Sequence, residues 1–376
     1  MVNRAREAPA ILTGMGSRTV GVEEEFLLVD PASGRPRPVC TAVLAASEPA
    51  AGGETGMTGE LQREQVETGT RPCQTLDELS AELRFARSTA AAAATEVGVV
   101  LAPLATSPLP VEPTLSQSRR YADMERRFGL IVSEELTCGC HVHVSIDSAA
   151  EGVAALDRIR PWLAPLLALS ANSPFWQGGD SGYASYRSQV WARWPSAGPY
   201  GMFHSPAGYR EVVAAMLGSQ TVLDEGMLYF DARLSQEHPT LEVRVADVCL
   251  DVDDAVLITA LTRALVQTAI DAWQAGTPAD PVRTEILRLA AWQAGWAGVD
   301  GALLDPSTWR PAPAVEVLDR LVEHVAPALE DANELVTVRA LLGAVFRRGN
   351  GARCQRAAFE RTGDLATVVR AVTGQA

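Results

Sequence analysis

Carboxylates set at strand spacing constrain this chain more than any other feature. Glu23 and Glu25 lie two apart in GVEEEF, Glu60 and Glu67 lie seven apart in ELQREQVETGT, and Glu242 stands two before Arg244 in TLEVRVAD. A strand sends alternate side chains to opposite faces, so Glu23 and Glu25 share one face, as do Glu242 and Arg244. Glutamate is disfavoured in strands. Three in succession ahead of Phe26-Leu-Leu-Val29 mark either a solvated edge strand or a strand whose acids face a ligand. Carboxylates gathered on one sheet face repel each other unless cations lie between them. Oxygen ligands suit hard divalent ions such as Mg²⁺ or Mn²⁺, and such ions point to phosphate chemistry. Strict alternation puts positions 60 and 67 on opposite faces. Glu60 therefore joins the set only through a bulge or from the loop before the strand.

Partial alternation of Val, Ile, Thr, Tyr and Phe predicts strands over 19–29, 60–71, 98–103, 138–147, 226–234 and 240–247. The capping box Thr75-Leu-Asp-Glu78 opens a helix to about Val97. A second helix runs from Thr114 to Phe128 and stops at Gly129. Others are predicted over 150–171, 206–217, 251–275, 281–294, 314–325, 331–347 and 354–372, with Asp251 and Asp254 favouring the start of theirs. Residues 31–59 and 103–113 read as long loops, and 1–17 as a frayed end. Covered parallel strands would be apolar on both faces, whereas these are polar on one. The expected class is α+β. An antiparallel sheet over 1–250 carries helices on its outer face and acids on its inner face, and 251–376 is mainly helical and packs on that core.

Composition narrows the function. Hydrophobic residues are 47% of the 376 and charged residues 21%, enough for a full core in one large domain or two average ones. A net charge of -14 argues against a nucleic-acid partner. No run of about 18 apolar residues suggests a bilayer span. Ala10-Ile-Leu12 is too short for a secretion signal, so a cytoplasmic protein is expected. Every basic residue is arginine. The lack of lysine removes a Walker-type phosphate loop and any Schiff-base lysine, leaving arginine and metal to hold a nucleotide's phosphates. The six cysteines are scattered and read as buried free thiols.

In CGCHVHVSID, His141 and His143 share one strand face and Cys138 and Cys140 the other, which argues against a four-ligand zinc site. Either histidine alone reads equally well as a core residue. Two on one face beside acids point to ligand or substrate contact. Arg187 is the only cation in ANSPFWQGGDSGYASYRSQVW, a loop packed by Phe175, Trp176 and Tyr186. Arginine suits bidentate clamping of carboxylate or phosphate. In RRGNGARCQRAAF, Arg353 stands at a helix start that reads either as a phosphate site or as a cap among solvated arginines.

Taken together, these segments resemble the glutamate–cysteine ligase type 2 family, the YbdK-type carboxylate–amine ligases. GVEEEF, ELQREQVE with Thr68-Gly-Thr70, CHVHVSI, ANSPFW with GGDSG and SYRS, WARWPSAGP, TLEVRVAD and RGNGARCQR occur in that family's order. The resemblance implies a glutamine synthetase-like fold, in which a curved antiparallel sheet forms a funnel for ATP and metals. It implies metal ligation by Glu23, Glu25, Glu60, Glu67 and Glu242, with His141 near metal or phosphate. It places Arg187 and Arg244 against the transferring phosphoryl group or the acidic substrate, with Tyr186 and Arg353 as further nucleotide contacts. The implied reaction is ATP-dependent amide formation between a small carboxylic acid and an amine through an acyl phosphate, with His141 or His143 as base and homo-oligomers common. Two departures bear on substrate choice: Trp296 stands where the family usually has arginine, and Gln293 where a basic residue is common. A two-metal hydrolase, or a nucleotide-binding homologue without chemistry, would use the same sheet.

Overall fold

The computed structural model describes residues 17–47 and 56–374. The frayed end expected before residue 17 and the stretch 48–55 lie outside the described residues. Strand β1 (Val20–Val29) shows why the pattern reads as it does. Val20, Val22, Glu24 and Phe26 turn into the core, while Gly21, Glu23 and Glu25 turn to the other face. Strand β1 is flanked on one edge by β3 (Gln65–Gly69) and on the other by β5 (Gly139–Ser145) and β4 (Val100–Ala102). Beyond β3 lies β2 (Met57–Gly59), and beyond β5 lie β9 (Thr240–Asp247) and β8 (Ala232–Leu234). Every pairing in this seven-stranded sheet is antiparallel. Two small hairpins stand apart from it, β6 (Phe175–Trp176) with β7 (Gly179–Asp180) and β10 (Ala302–Asp305) with β11 (Arg310–Pro313).

Helices cover the apolar face of the sheet. The helix Leu76–Glu96 begins with the expected capping box between Thr75 and Glu78. The helix Val252–Gln274 is long and apolar, and most of it is buried inside the protein. It is a core helix. One apolar cluster joins Val20, Val22, Val142 and Val144 of the sheet to Leu257 and Leu261 of this helix, and to Leu318, Val338 and Val345 beyond it. The sheet part and the helical C-terminal part therefore share a core.

The sheet and the central helix also meet through charge. Glu24 is fully buried on the helix side, and Arg87 of the helix Leu76–Glu96 donates to both its oxygens at 2.9 and 2.6 Å. The same guanidinium donates to the carbonyls of Cys249 and Leu250, just before the helix Val252–Gln274.

Several expected elements are corrected. Residues 31–59 contain a helix, Cys40–Ser47, and strand β2. The helix has no capping signal and is visible only through burial of Cys40 and Val43. The strand expected over 60–71 contracts to β3, and that over 226–234 to β8 behind a 3₁₀ turn at Glu225–Met227. The helix expected from Thr114 starts at Arg119, because Thr114 and Leu115 pair with the segment before β3. The helix expected over 150–171 breaks at the 3₁₀ turn Arg160–Trp162, where Pro161 lacks a backbone donor. The helix expected over 354–372 breaks at Gly363, with φ +63°, after which Asp364 caps Leu365–Val372.

Candidate active site

Register gathers the acids. In the β1–β3 pair Glu25 lies opposite Glu67, and in the β1–β5 pair Glu23 lies opposite His141. In the β5–β9 pair His143 lies opposite Glu242. A bulge then interrupts β9: Val142 faces Val243, but Cys140 faces Ala246. Arg244 and Val245 thus share the place opposite His141, and Glu242 and Asp247 return to one face although they stand five positions apart. Glu60 enters from the connection before β3, which is the loop alternative of the sequence reading.

The result is a cavity of about 240 Å³ bordered by Glu23, Glu25, Glu60, Glu67, His141 and Arg244. Two groups of potential ligand atoms lie within 4.8 Å of one another: Glu23, His141 and Glu242, and Glu25, Glu67 and His141. His141 belongs to both. Its Nδ1 is 3.4 Å from Glu23 and its Nε2 is 3.8 Å from Glu25. His143 hydrogen-bonds Thr240 at 2.9 Å, and its Nε2 faces Glu23 at 3.4 Å.

Electrostatics divide the acids into two kinds. Burial works to raise the Glu23 carboxyl, but hydrogen bonds and charge from His141 and His143 outweigh it and hold Glu23 well below the usual range. Burial also opposes ionisation of Glu242, yet Arg244 and Arg233 bring it down to about 2. Glu60 and Glu67 have no such partners. Burial, then the Glu25 charge, pushes Glu60 up to about 7. Burial, then Glu60, Glu23 and Glu25, pushes Glu67 well above the carboxylate range. An acid cluster that resists ionisation for lack of countercharge fits a divalent cation, and an oxygen-rich set with one imidazole suits Mg²⁺ or Mn²⁺.

A pH dependence follows. Between the usual 4.5 and their raised values, Glu60 and Glu67 bind more protons folded than unfolded. Stability of the metal-free protein should therefore fall as pH rises from about 5 to about 7.5. His141, lowered by burial and then by Arg244, works the other way only below its ordinary 6.5. Glu23 and Glu242, both lowered, act below 4.5, outside this window. Thermal melts in chelator should show a drop on the order of 3–5 °C across the window, reversed at the upper end by Mg²⁺. A flat profile would sink the assignment.

Arg244 hydrogen-bonds Glu242 and lies 3.5 Å from His141, while its Nε is buried without a partner. Arg187, more deeply buried, has a side chain that makes only long contacts, 3.5 Å to the Val245 carbonyl and 3.8 Å to Asp247, and its Nε is also unpartnered. Asp247 is the hub of this corner. It accepts from Asn172 N and from the hydroxyls of Ser173 and Ser185. Both arginines border a second, larger cavity of about 610 Å³. Arg244, Trp191 and Trp194 separate it from the acid cavity and border both.

Not every expected residue arrives. Tyr186 packs between Trp176 and Tyr183 at 5.7 Å and borders neither cavity. Arg353 faces Asp300 at 3.4 Å on the surface and likewise borders neither, so the cap reading of its helix start fits. Gln293 donates to the Ala302 carbonyl of the β10–β11 hairpin. Trp296 is half-exposed and stacks on Trp292, which borders the larger cavity. Cys138 and Cys140 are buried in apolar surroundings that push both thiols well up, and neither joins the ligand groups. Arg233 was missed by the sequence reading. It lies opposite Glu242 on β8 and donates to it at 2.7 Å.

The sequence profile of glutamate–cysteine ligase family 2 matches residues 19–371. This chain belongs to that family. A protein of Streptomyces avermitilis provisionally named glutamate–cysteine ligase 2-1 is 51% identical over 94% of this chain and 97% of its own length. One of Streptomyces coelicolor, provisionally named glutamate–cysteine ligase 2, is 51% identical over 94% and 98%. Among solved structures, a bifunctional glutathione synthetase from Pasteurella multocida superposes with a TM-score of 0.68 at 16% identity, over 96% of this chain but only 52% of that one. A glutamate–cysteine ligase from Francisella tularensis in complex with AMP gives 0.62 at 14% identity, over 96% and 89%. The fold is the expected glutamine synthetase-like α+β class, and this member of the family is an ATP-dependent carboxylate–amine ligase. The family and fold lend nothing to the hydrolase or the chemistry-free alternative.

Proposed function

We propose that this protein activates a small carboxylic acid, glutamate being the first candidate, as an acyl phosphate and passes the acyl group to an amine. The supporting observation is the pair of ligand groups that share His141 beside Arg244. Glu23, His141 and Glu242 would hold one Mg²⁺ or Mn²⁺, and Glu25 and Glu67, with Glu60 adjoining, another. Bound there, the ions neutralise charge on the phosphates of ATP.

The chain's own residues do the rest. The unpartnered Nε–H groups of Arg187 and Arg244 are donors available to oxygens of the transferring phosphoryl group or the substrate carboxylate. A carboxylate oxygen takes the γ-phosphoryl group and ADP leaves. The amine nitrogen then attacks the acyl carbon, the bond to phosphate oxygen breaks, and inorganic phosphate departs. Both nitrogens of His141 face carboxylates, which suits a ligand better than a base.

The test is ADP release from purified protein with Mg²⁺-ATP and a panel of acids and amines, with mass spectrometry of the products. ADP accompanied by a new amide, and dependent on both partners, is expected. Equal ADP release without any amine would overturn the proposal.

A further inference from the structure

The larger cavity has a composition that the acid cluster does not explain. Its walls are largely apolar and aromatic, with Leu163, Leu167, Trp191, Trp194 and Phe230 inside and Trp292 towards the surface, and Arg187, Arg193, Arg244 and Arg288 also border it. Its volume of about 610 Å³ is in the range of pockets that enclose ligands well beyond a single small amino acid. Trp292 continues the wall outward. It stacks on Trp296 at 5.9 Å, and Leu289, Trp292 and Trp296 form an exposed apolar stripe on the helix Thr284–Ala297.

One acidic side chain stands in this wall. Asp231 is the only carboxylate bordering the cavity among the described residues. Its backbone is fixed on both sides, with its N–H donating to Gly198 O at 3.1 Å and its carbonyl accepting from Arg244 N at 2.9 Å. Its carboxylate has no hydrogen-bond or ion-pair partner within the described residues and is half-buried. A carboxylate left without a hydrogen-bond partner in a mostly apolar cavity is costly unless a ligand completes it. Arg187 faces Asp247, Arg193 pairs with Glu134 and Arg244 with Glu242, and no bordering arginine reaches Asp231, so its missing complement is a cation brought by a ligand.

We propose that this cavity is the amine-acceptor site, and that it takes a primary amine with an aryl-bearing apolar body whose ammonium rests on Asp231. The inference builds on the ligase reading given above. Arg244 borders both this cavity and the acid cavity, so an amine on Asp231 lies beside the place where the acyl group is activated. The ammonium gives one proton to the Asp231 carboxylate, the freed nitrogen attacks the acyl carbon, and its second proton leaves with the phosphate. Burial pushes the Asp231 carboxyl up to about 7, which suits a base working near neutral pH.

Binding to the full-length protein tests this without turnover. Calorimetry would compare phenethylamine, its neutral counterpart 2-phenylethanol, and methylamine on wild type, Asp231→Asn and Trp292→Ala. Phenethylamine should bind more tightly than methylamine. Asp231→Asn, nearly isosteric, should weaken phenethylamine by about tenfold or more and leave 2-phenylethanol unchanged. Trp292→Ala, on an exposed face, should weaken both aryl compounds. Equal binding of phenethylamine to wild type and Asp231→Asn, or no preference over methylamine, would overturn the proposal. Activity separates the two readings. ADP release driven by cysteine alone, with no phenethylamine binding, overturns this site and keeps the ligase. Asp231-dependent binding with no ADP release for any acid and amine overturns the ligase and keeps the site.

Discussion

Glu67→Gln should abolish ADP release, by at least about 10³-fold, and at the same time raise the melting temperature of the metal-free protein. The two effects have one origin. Glu67 is half-buried opposite Glu25 and beside Glu60, and no cation of the chain compensates it. Its carboxyl is pushed far up because ionisation there is unfavourable. A neutral amide of the same shape removes that repulsion, and Thr58 can still donate to its oxygen as it does to Glu67 at 3.3 Å. What the amide cannot do is balance a divalent ion, so stabilisation by Mg²⁺-ATP should disappear with the activity. Glu25→Ala should lose activity likewise. Thermal melts with and without Mg²⁺, alongside ADP release, check this. A variant that turns over normally, or that melts lower than wild type in chelator, would refute the metal-cluster assignment.

Glu24→Ala, one residue from two proposed ligands, should instead cost about 3–5 kcal/mol of stability. The loss comes from what remains. Arg87 is left as a buried guanidinium beneath the sheet, holding only the carbonyls of Cys249 and Leu250. Replacing both partners removes the stranded charge, so Glu24→Leu with Arg87→Met should recover most of the loss. Urea melts of the single and double variants measure it. A single variant within about 1 kcal/mol of wild type, or a double variant no better than the single, would show that the pair is not what joins the sheet to its helices.

The contrast within Glu23-Glu-Glu25 also marks how far sequence carries. Alternation alone sends Glu24 away from its neighbours and puts Glu23 with Glu25, and His141 with His143, on one face each, because strand period is local; register between strands is what joins them to Glu67 and Glu242. The ends of several helices were equally local, as at Gly129 and in the Thr75–Glu78 box. What alternation could not place depended on distant partners. Glu60 reaches the cluster through the path of a connection, and Arg233 through its register with Glu242. Asp231 is noticeable only once the aromatic wall around it exists. Tyr186 and Arg353 sat in suggestive motifs, but side-chain packing took one and a surface ion pair the other. Pro161 and Gly363 were readable breaks inside helices that periodicity had run together.

Alternation along β5 has one more consequence, for the safety of the chemistry. An enzyme that works through the proposed acyl phosphate must not acylate itself. Cys140 adjoins His141 in sequence, yet it lies on the other side of the sheet. Cys138 and Cys140 are both kept protonated by burial, so neither offers a thiolate. The chain contains no lysine, so it offers no side-chain amine either. In the proposed reaction, the amine or thiolate that meets the acyl phosphate is therefore the one the substrate brings.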